Sequence, residues 1–86
     1  MTVTLRLFAA AREAAGRSRD EYELTTAPTV GALLDAAVVA YGEQFGAVLA
    51  QSRVWLNGDE PPDGSSTRLA DDDEVAVLPP VSGGIA

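Results

Sequence analysis

The chain has 86 residues, 13 of them acidic and 6 basic, for a formal net charge of −7. That length makes one small domain with a high surface-to-volume ratio, and the charge argues against a nucleic-acid backbone as ligand, which rewards clustered Lys and Arg. Cys and His are both absent, which excludes disulfides, thiolate nucleophiles and thiolate metal sites and removes the commonest general base.

Residues Thr2–Phe8 alternate, with Val3, Leu5 and Leu7 on one side and Thr4, Arg6 and Phe8 on the other. That period predicts a half-buried strand. Ala9–Ala15 reads as a short helix closing at Gly16, and Arg17–Asp20 as a polar loop. Tyr22 and Leu24 alternate with Glu21 and Glu23, which predicts a second strand, antiparallel to the first.

Thr29 is a suitable N-cap for the main helix. Val30, Leu33, Leu34, Ala37, Val38 and Tyr41 then form one helical stripe, with Gly42 at its C-terminal stop. Phe45, Val48 and Leu49 predict a further short helix, weakened by Gly46. Arg53–Leu56 is a strand followed by the tight-turn pair Asn57-Gly58. Asp59–Arg68 is a Pro-, Gly- and Ser-rich loop with room for a very short edge strand, anchored by Leu69. An acidic turn over Ala70–Asp73 leads into the last strand, Glu74–Leu78. The fold class expected is α+β, one sheet covered on one face by one main helix.

Alternation leaves apolar residues on the uncovered face. If Val3, Val54 and Val75 face the helix, then Phe8, Trp55, Ala76 and Leu78 face away. Together they would make an exposed patch of the kind that marks a partner site. Two other placements stand beside this one: Phe8 folding back into the core, and Trp55 covering a loop. The carboxylates fall in charge runs such as Asp71–Glu74 with no apolar pocket around them, so they read as a solvated surface rather than as acid–base catalysts. No Gly-rich phosphate cradle precedes a helix. The chain is therefore read as a carrier and not as an enzyme, with no cofactor and no metal of its own.

The last residues carry the chemistry. Leu78 runs into Pro79-Pro80, where missing N–H groups should end the sheet. Val81-Ser82-Gly83-Gly84 then makes a slim segment whose glycines suit a narrow channel. The expected organisation is a domain over residues 1–80 and a flexible tail over 81–86. A carboxylate delivered by such a tail becomes reactive once adenylated, and then accepts sulfur to become a nucleophilic thiocarboxylate. The chain has no basic-then-apolar leader and no apolar run of membrane length, so cytoplasm is the expected compartment and no membrane is an expected partner.

Three stretches, Leu5–Glu13, Asn57-Gly58 and Asp73–Gly84, resemble the MoaD/ThiS family of sulfur carriers. The Pro-Pro-Val-Ser-Gly-Gly ending is most similar to the molybdopterin synthase small subunit. The resemblance implies a β-grasp, ubiquitin-like fold with a mixed sheet of four to five strands. It implies adenylation of the terminal Gly by an E1-like enzyme that uses ATP, and then sulfur loading. In the molybdopterin branch the tail enters the large sulfurtransferase subunit, and two thiocarboxylates build the dithiolene of the molybdenum cofactor. Carried onto this chain, Gly84 bears the adenylate and thiocarboxylate, and Gly83 threads beside it. Phe8, Trp55, Leu78, Pro80 and Val81 serve the partner surface.

Two departures matter. Asp72 stands in a turn where the family often has Gly, and Asp tolerates left-handed backbone better than most residues. Ile85-Ala86 follow Gly84, so the expectation is removal by a JAMM-type metalloprotease before activation. The alternatives are a sulfur carrier for cysteine, thiamin or a sulfur-containing secondary metabolite, a ubiquitin-like modifier, and a non-catalytic interaction domain. Lys is absent, all six cations being Arg, so Lys-linked chains of this protein on itself are excluded.

Overall fold

The first strand alternates as its sequence requires. In β1, Thr2–Leu7, Val3, Leu5 and Leu7 are buried and the intervening residues half-exposed. The computed structural model describes residues 1–80; the expectations placed on Val81, Gly83, Gly84, Ile85, Ala86 and a tail at 81–86 lie outside the described residues. Helix α1 spans Ala9–Ala15, β2 Arg19–Glu23, α2 Val30–Tyr41, α3 Glu43–Leu49, β3 Arg53–Leu56 and β4 Glu74–Leu78, with a 3₁₀ turn at Gly64–Ser66.

The sheet order is β2-β1-β4-β3. β1 pairs antiparallel with β2 and parallel with β4, and β3 pairs antiparallel with β4. The parallel β1–β4 contact joins distant parts of the chain, Thr4 with Glu74 and Leu7 with Val77. A parallel pair requires a long crossover, and here α2 and α3 supply it while covering one face. Val3, Leu5, Leu7, Val75 and Val77 from the sheet meet Val30, Leu33 and Ala37 of α2 and Phe45 of α3. Ala11 of α1 completes the core, so three helices close it rather than one. This is the α+β class that the alternation predicts and the mixed-sheet, ubiquitin-like β-grasp arrangement that the resemblance implies.

Local signals explain the helix ends. Thr29 Oγ1 accepts from the Ala32 amide at 3.1 Å, capping α2. Gly16 has φ 77° and ψ 15°, the left-handed stop of α1. Gly42 differs from a left-handed stop: at φ 102° and ψ −179° it is a corner, ending α2 and opening α3. The corner brings the rings of Tyr41 and Phe45 edge to face, with centroids 5.1 Å apart.

Four boundaries depart from expectation. β1 ends at Leu7, not Phe8. β2 begins at Arg19, inside the stretch that reads as loop, because Arg6 and Leu5 of β1 pair with Arg19 and Asp20. It ends at Glu23, before Leu24. The Asp59–Arg68 loop holds a 3₁₀ turn and two isolated bridges, Leu56 with Asp59 and Thr29 with Arg68, instead of an edge strand. That loop is tied to the start of α2 by Val30 N–H to the Thr67 carbonyl (3.0 Å) and Leu69 N–H to the Pro28 carbonyl (2.9 Å). Buried Thr67 also accepts from the Asp63 amide at 2.8 Å.

Candidate docking face and tail exit

Strand alternation sends Arg6, Arg19, Ala76 and Trp55 to the face away from the helices, and the pairing register places them in one row: Arg19 opposite Arg6, Arg6 beside Ala76, Ala76 opposite Trp55. The next row toward the end of β4 pairs Leu78 with Arg53. In the row on the other side, Glu21 and Glu74 flank Thr4. β4 therefore reaches Pro79 between an apolar strip and three arginines, with carboxylates further down the face.

Phe8 continues from β1 in extended backbone, φ −125° and ψ 153°, as the N-cap of α1. The residue is 38% exposed, among the large apolar residues most open to solvent among those described. The Arg6 guanidinium carbon lies 5.5 Å from the ring centroid, a cation–π contact that holds both side chains on this face. Ala9, the next residue, has φ 49°. This left-handed step swings the chain from strand to helix and leaves Phe8 outside the core.

Leu78 and Pro79 are half-buried and Pro80 is exposed. Pro79 and Pro80 form one wall of a groove of about 270 Å³, whose other walls are Ala10 of α1 and Gln44, Ala47, Val48 and Gln51 of α3 and its C-terminal end. Trp55 lies between the two placements the sequence allows. It is on the outer face in register with Ala76, yet half-buried, sharing a cavity with Arg53, Glu60, Pro61 and Gly64 of the adjoining loop. The structure thus brings Phe8, Leu78 and Pro80 to the end of the sheet from which the chain continues past residue 80, with Trp55 at its side. Val81, Gly83 and Gly84 lie outside the described residues.

The acidic turn at the opposite end spends its oxygens on the fold. Asp71 Oδ1 accepts from the Thr2 amide at 2.9 Å, and Asp73 Oδ2 from the Ala70 amide at 2.8 Å. Asn57 donates to Asp73 Oδ1 and accepts from the Glu74 amide, each at 2.9 Å. Asp72 has φ 70°, the left-handed conformation that its position requires. Among the described residues no three His, Cys, Asp or Glu side chains converge as metal ligands, and no helix is long and apolar enough to cross a membrane.

The alignment of Arg6, Arg19 and Arg53 is invisible in the sequence. Arg6 reads as an outward residue, but Arg19 reads as loop, and no local signal states which residues of separate strands stand opposite one another.

Fold and face together define a ubiquitin-like β-grasp protein that presents one half-apolar sheet face beside an emerging C-terminal segment. The chain belongs to the ThiS family, whose model matches residues 5–84. It is similar in structure to small archaeal modifier protein 1 from Haloferax volcanii, at 29% identity and a TM-score of 0.78, covering 98% of this chain and 100% of that one. It is similar to a chain of the complex of subunits 1 and 2 of the molybdopterin-converting factor from Helicobacter pylori 26695, at 27% identity and a TM-score of 0.65, covering 98% and 100%. It shares the fold of CysO from Mycobacterium tuberculosis at 20% identity and a TM-score of 0.73, covering 92% and 99%. No curated protein matches it in sequence.

Proposed function

We propose that this protein is a sulfur carrier whose Gly84 is activated as an adenylate and converted to a thiocarboxylate, for use in molybdopterin synthesis. The observation that carries this reading is the combination of an exposed, half-apolar sheet end with a Gly-Gly segment a few residues beyond it. Family membership and the likeness to a molybdopterin-converting factor chain support it.

The chemistry needs little from the chain itself. Ile85-Ala86 follow Gly84, so hydrolysis of the Gly84–Ile85 bond, assigned to a JAMM-type metalloprotease, first frees a carboxylate. An E1-like partner then transfers AMP from ATP to that carboxylate, releasing pyrophosphate. A hydrosulfide equivalent from a sulfur donor displaces AMP and leaves the thiocarboxylate. The chain supplies docking through Phe8, Leu78 and Pro80, with Trp55 at the margin and Val81 in the segment beyond. The large sulfurtransferase subunit is the acceptor in this reading; cysteine, thiamin and secondary-metabolite routes differ only in the acceptor enzyme.

Intact-protein mass spectrometry tests the reading. Chain recovered from its native host should lack Ile-Ala and, after incubation with the E1-like enzyme, ATP and a sulfur donor, show one oxygen replaced by sulfur at Gly84. A mass that stays at Ala86 with all components active would overturn it. The likeness to an archaeal modifier protein favours a second reading, attachment through Gly84 to amines of other proteins. Higher-mass species on a blot, lost with Gly84, would support that one.

A further inference from the structure

The net charge of −7 predicts, taken alone, a partner with a basic surface. The distribution of charge at the docking end says the opposite. We infer that the surface this carrier docks on is a protein face with an apolar centre ringed by carboxylates, read by Arg6, Arg19 and Arg53 around Phe8, Ala76 and Leu78. The inference rests on the docking role proposed above and names the chemistry of the partner.

Three observations carry it. Arg6 and Arg19 stand directly opposite each other across β1 and β2. Like charges in that position destabilise a sheet, so the fold gains nothing from the pair as such. Their counter-charges are weakly held: Arg6 meets Glu74 at 3.3 Å with side chains 39% and 46% exposed, and Arg19 meets Glu21 at 3.6 Å with side chains 60% and 59% exposed. Exposed pairs of this kind contribute little and exchange readily for a better partner. Arg53, exposed and opposite Leu78 on edge strand β3, makes no ion pair among the described residues.

The opposite end of the molecule has the opposite sign. Asp71, Asp72 and Asp73 lie in the turn before β4, and Glu21 and Glu74 occupy the row toward that end. Arg68 also stands away from the docking row, bridged to Thr29 and sharing a cavity with Met1 and Pro28. The outer face of the sheet thus changes sign along β4, with Arg6, Arg19 and Arg53 toward Pro79 and Glu21, Glu74 and the Asp71–Asp73 turn toward the other end, although Glu60 lines the cavity beside Arg53 and Trp55. A complementary partner orients it during approach, so that the Gly-Gly segment arrives first.

The test uses the full chain and the purified E1-like adenylating enzyme of its own host, with association followed by stopped flow at several salt concentrations. Arg19→Glu combined with Arg53→Glu should slow association roughly tenfold at low salt and flatten its salt dependence. Arg68→Glu, which changes net charge equally per residue, should leave both unchanged. Arg19→Gln with Arg53→Gln should give a smaller loss of the same kind, and circular dichroism checks that each variant folds. If the reversals leave the rate and its salt dependence intact while Phe8→Ala and Leu78→Ala weaken binding, the docking role stands and the charge inference fails. If none of these changes weakens binding, or the wild type does not bind, the docking role itself falls and the inference with it.

Discussion

Single residues decide how the two ends of this sheet are built. Ala9 and Asp72 both occupy left-handed backbone, at φ 49° and 70°, a region that costs most L-residues about 1–2 kcal/mol. Ala10→Gly, in ordinary helix, should cost about 1 kcal/mol. Ala9→Gly should cost nothing or stabilise, because relief of the left-handed strain offsets the added chain entropy. Thermal unfolding of the two variants side by side checks this. The hydroxyl of Tyr41 donates to Asp20 Oδ2 at 2.6 Å. Burial first, and that hydrogen bond second, hold its proton well above the ordinary tyrosine range. Its stabilising contribution is therefore complete below about pH 10, where unfolded tyrosine titrates, and is lost as pH rises beyond it. Tyr41→Phe should cost about 1 kcal/mol at neutral pH and flatten the loss of stability above about pH 10, read by urea unfolding across the range.

Among the elements, two glycines that look alike in sequence have opposite roles. A Cβ on Gly31 would come within 3.0 Å of both the Ser65 Cβ and its carbonyl oxygen, where α2 meets the 3₁₀ turn. A Cβ on Gly46, in α3, would meet a Val38 methyl at 3.4 Å. Helix propensity alone favours Ala at either position by about 1 kcal/mol. Gly31→Ala should instead destabilise by roughly 1–2 kcal/mol, since backbone must move, while Gly46→Ala should be neutral or stabilising. Chemical denaturation of both variants gives the sign. The close approach at Gly31 is also what lets the 59–69 loop seal the end of the core through Thr67 and Leu69.

For the whole molecule, the core among the described residues runs from Val3 to Val77, and the proposed chemistry belongs to the C-terminal segment after Pro80. Truncation after Pro80 should leave the melting temperature unchanged and abolish sulfur loading, by calorimetry and mass spectrometry on one sample. Phe45→Ala should do the reverse kind of damage. Phe45 of α3 is fully buried in the core cluster, its ring against that of Tyr41, and losing such a ring costs about 3–5 kcal/mol, most of the stability of a domain this small. Loss of carrier activity in that variant should follow loss of fold, and cooling should restore both.

Whatever is local in this fold is legible in the chain alone. Thr29 caps α2 and Gly16 stops α1 because caps depend on a few adjacent residues. The α2 stripe is legible because a helix repeats every 3.6 residues, and Arg53–Leu56 because a strand repeats every two. The Gly-Gly segment and the absence of Cys, His and Lys bound the chemistry without any fold. Whatever depends on pairing needs the folded molecule. Phe45 and Ala11 enter the core because α3 and α1 pack where they do, and β2 begins at Arg19 because β1 is beside it. The row that joins Arg19, Arg6, Ala76 and Trp55 is assembled from four strands. A shift of one residue in any register would send those side chains to the other face, and register is set by contacts between distant parts of the chain, not by the residues on either side.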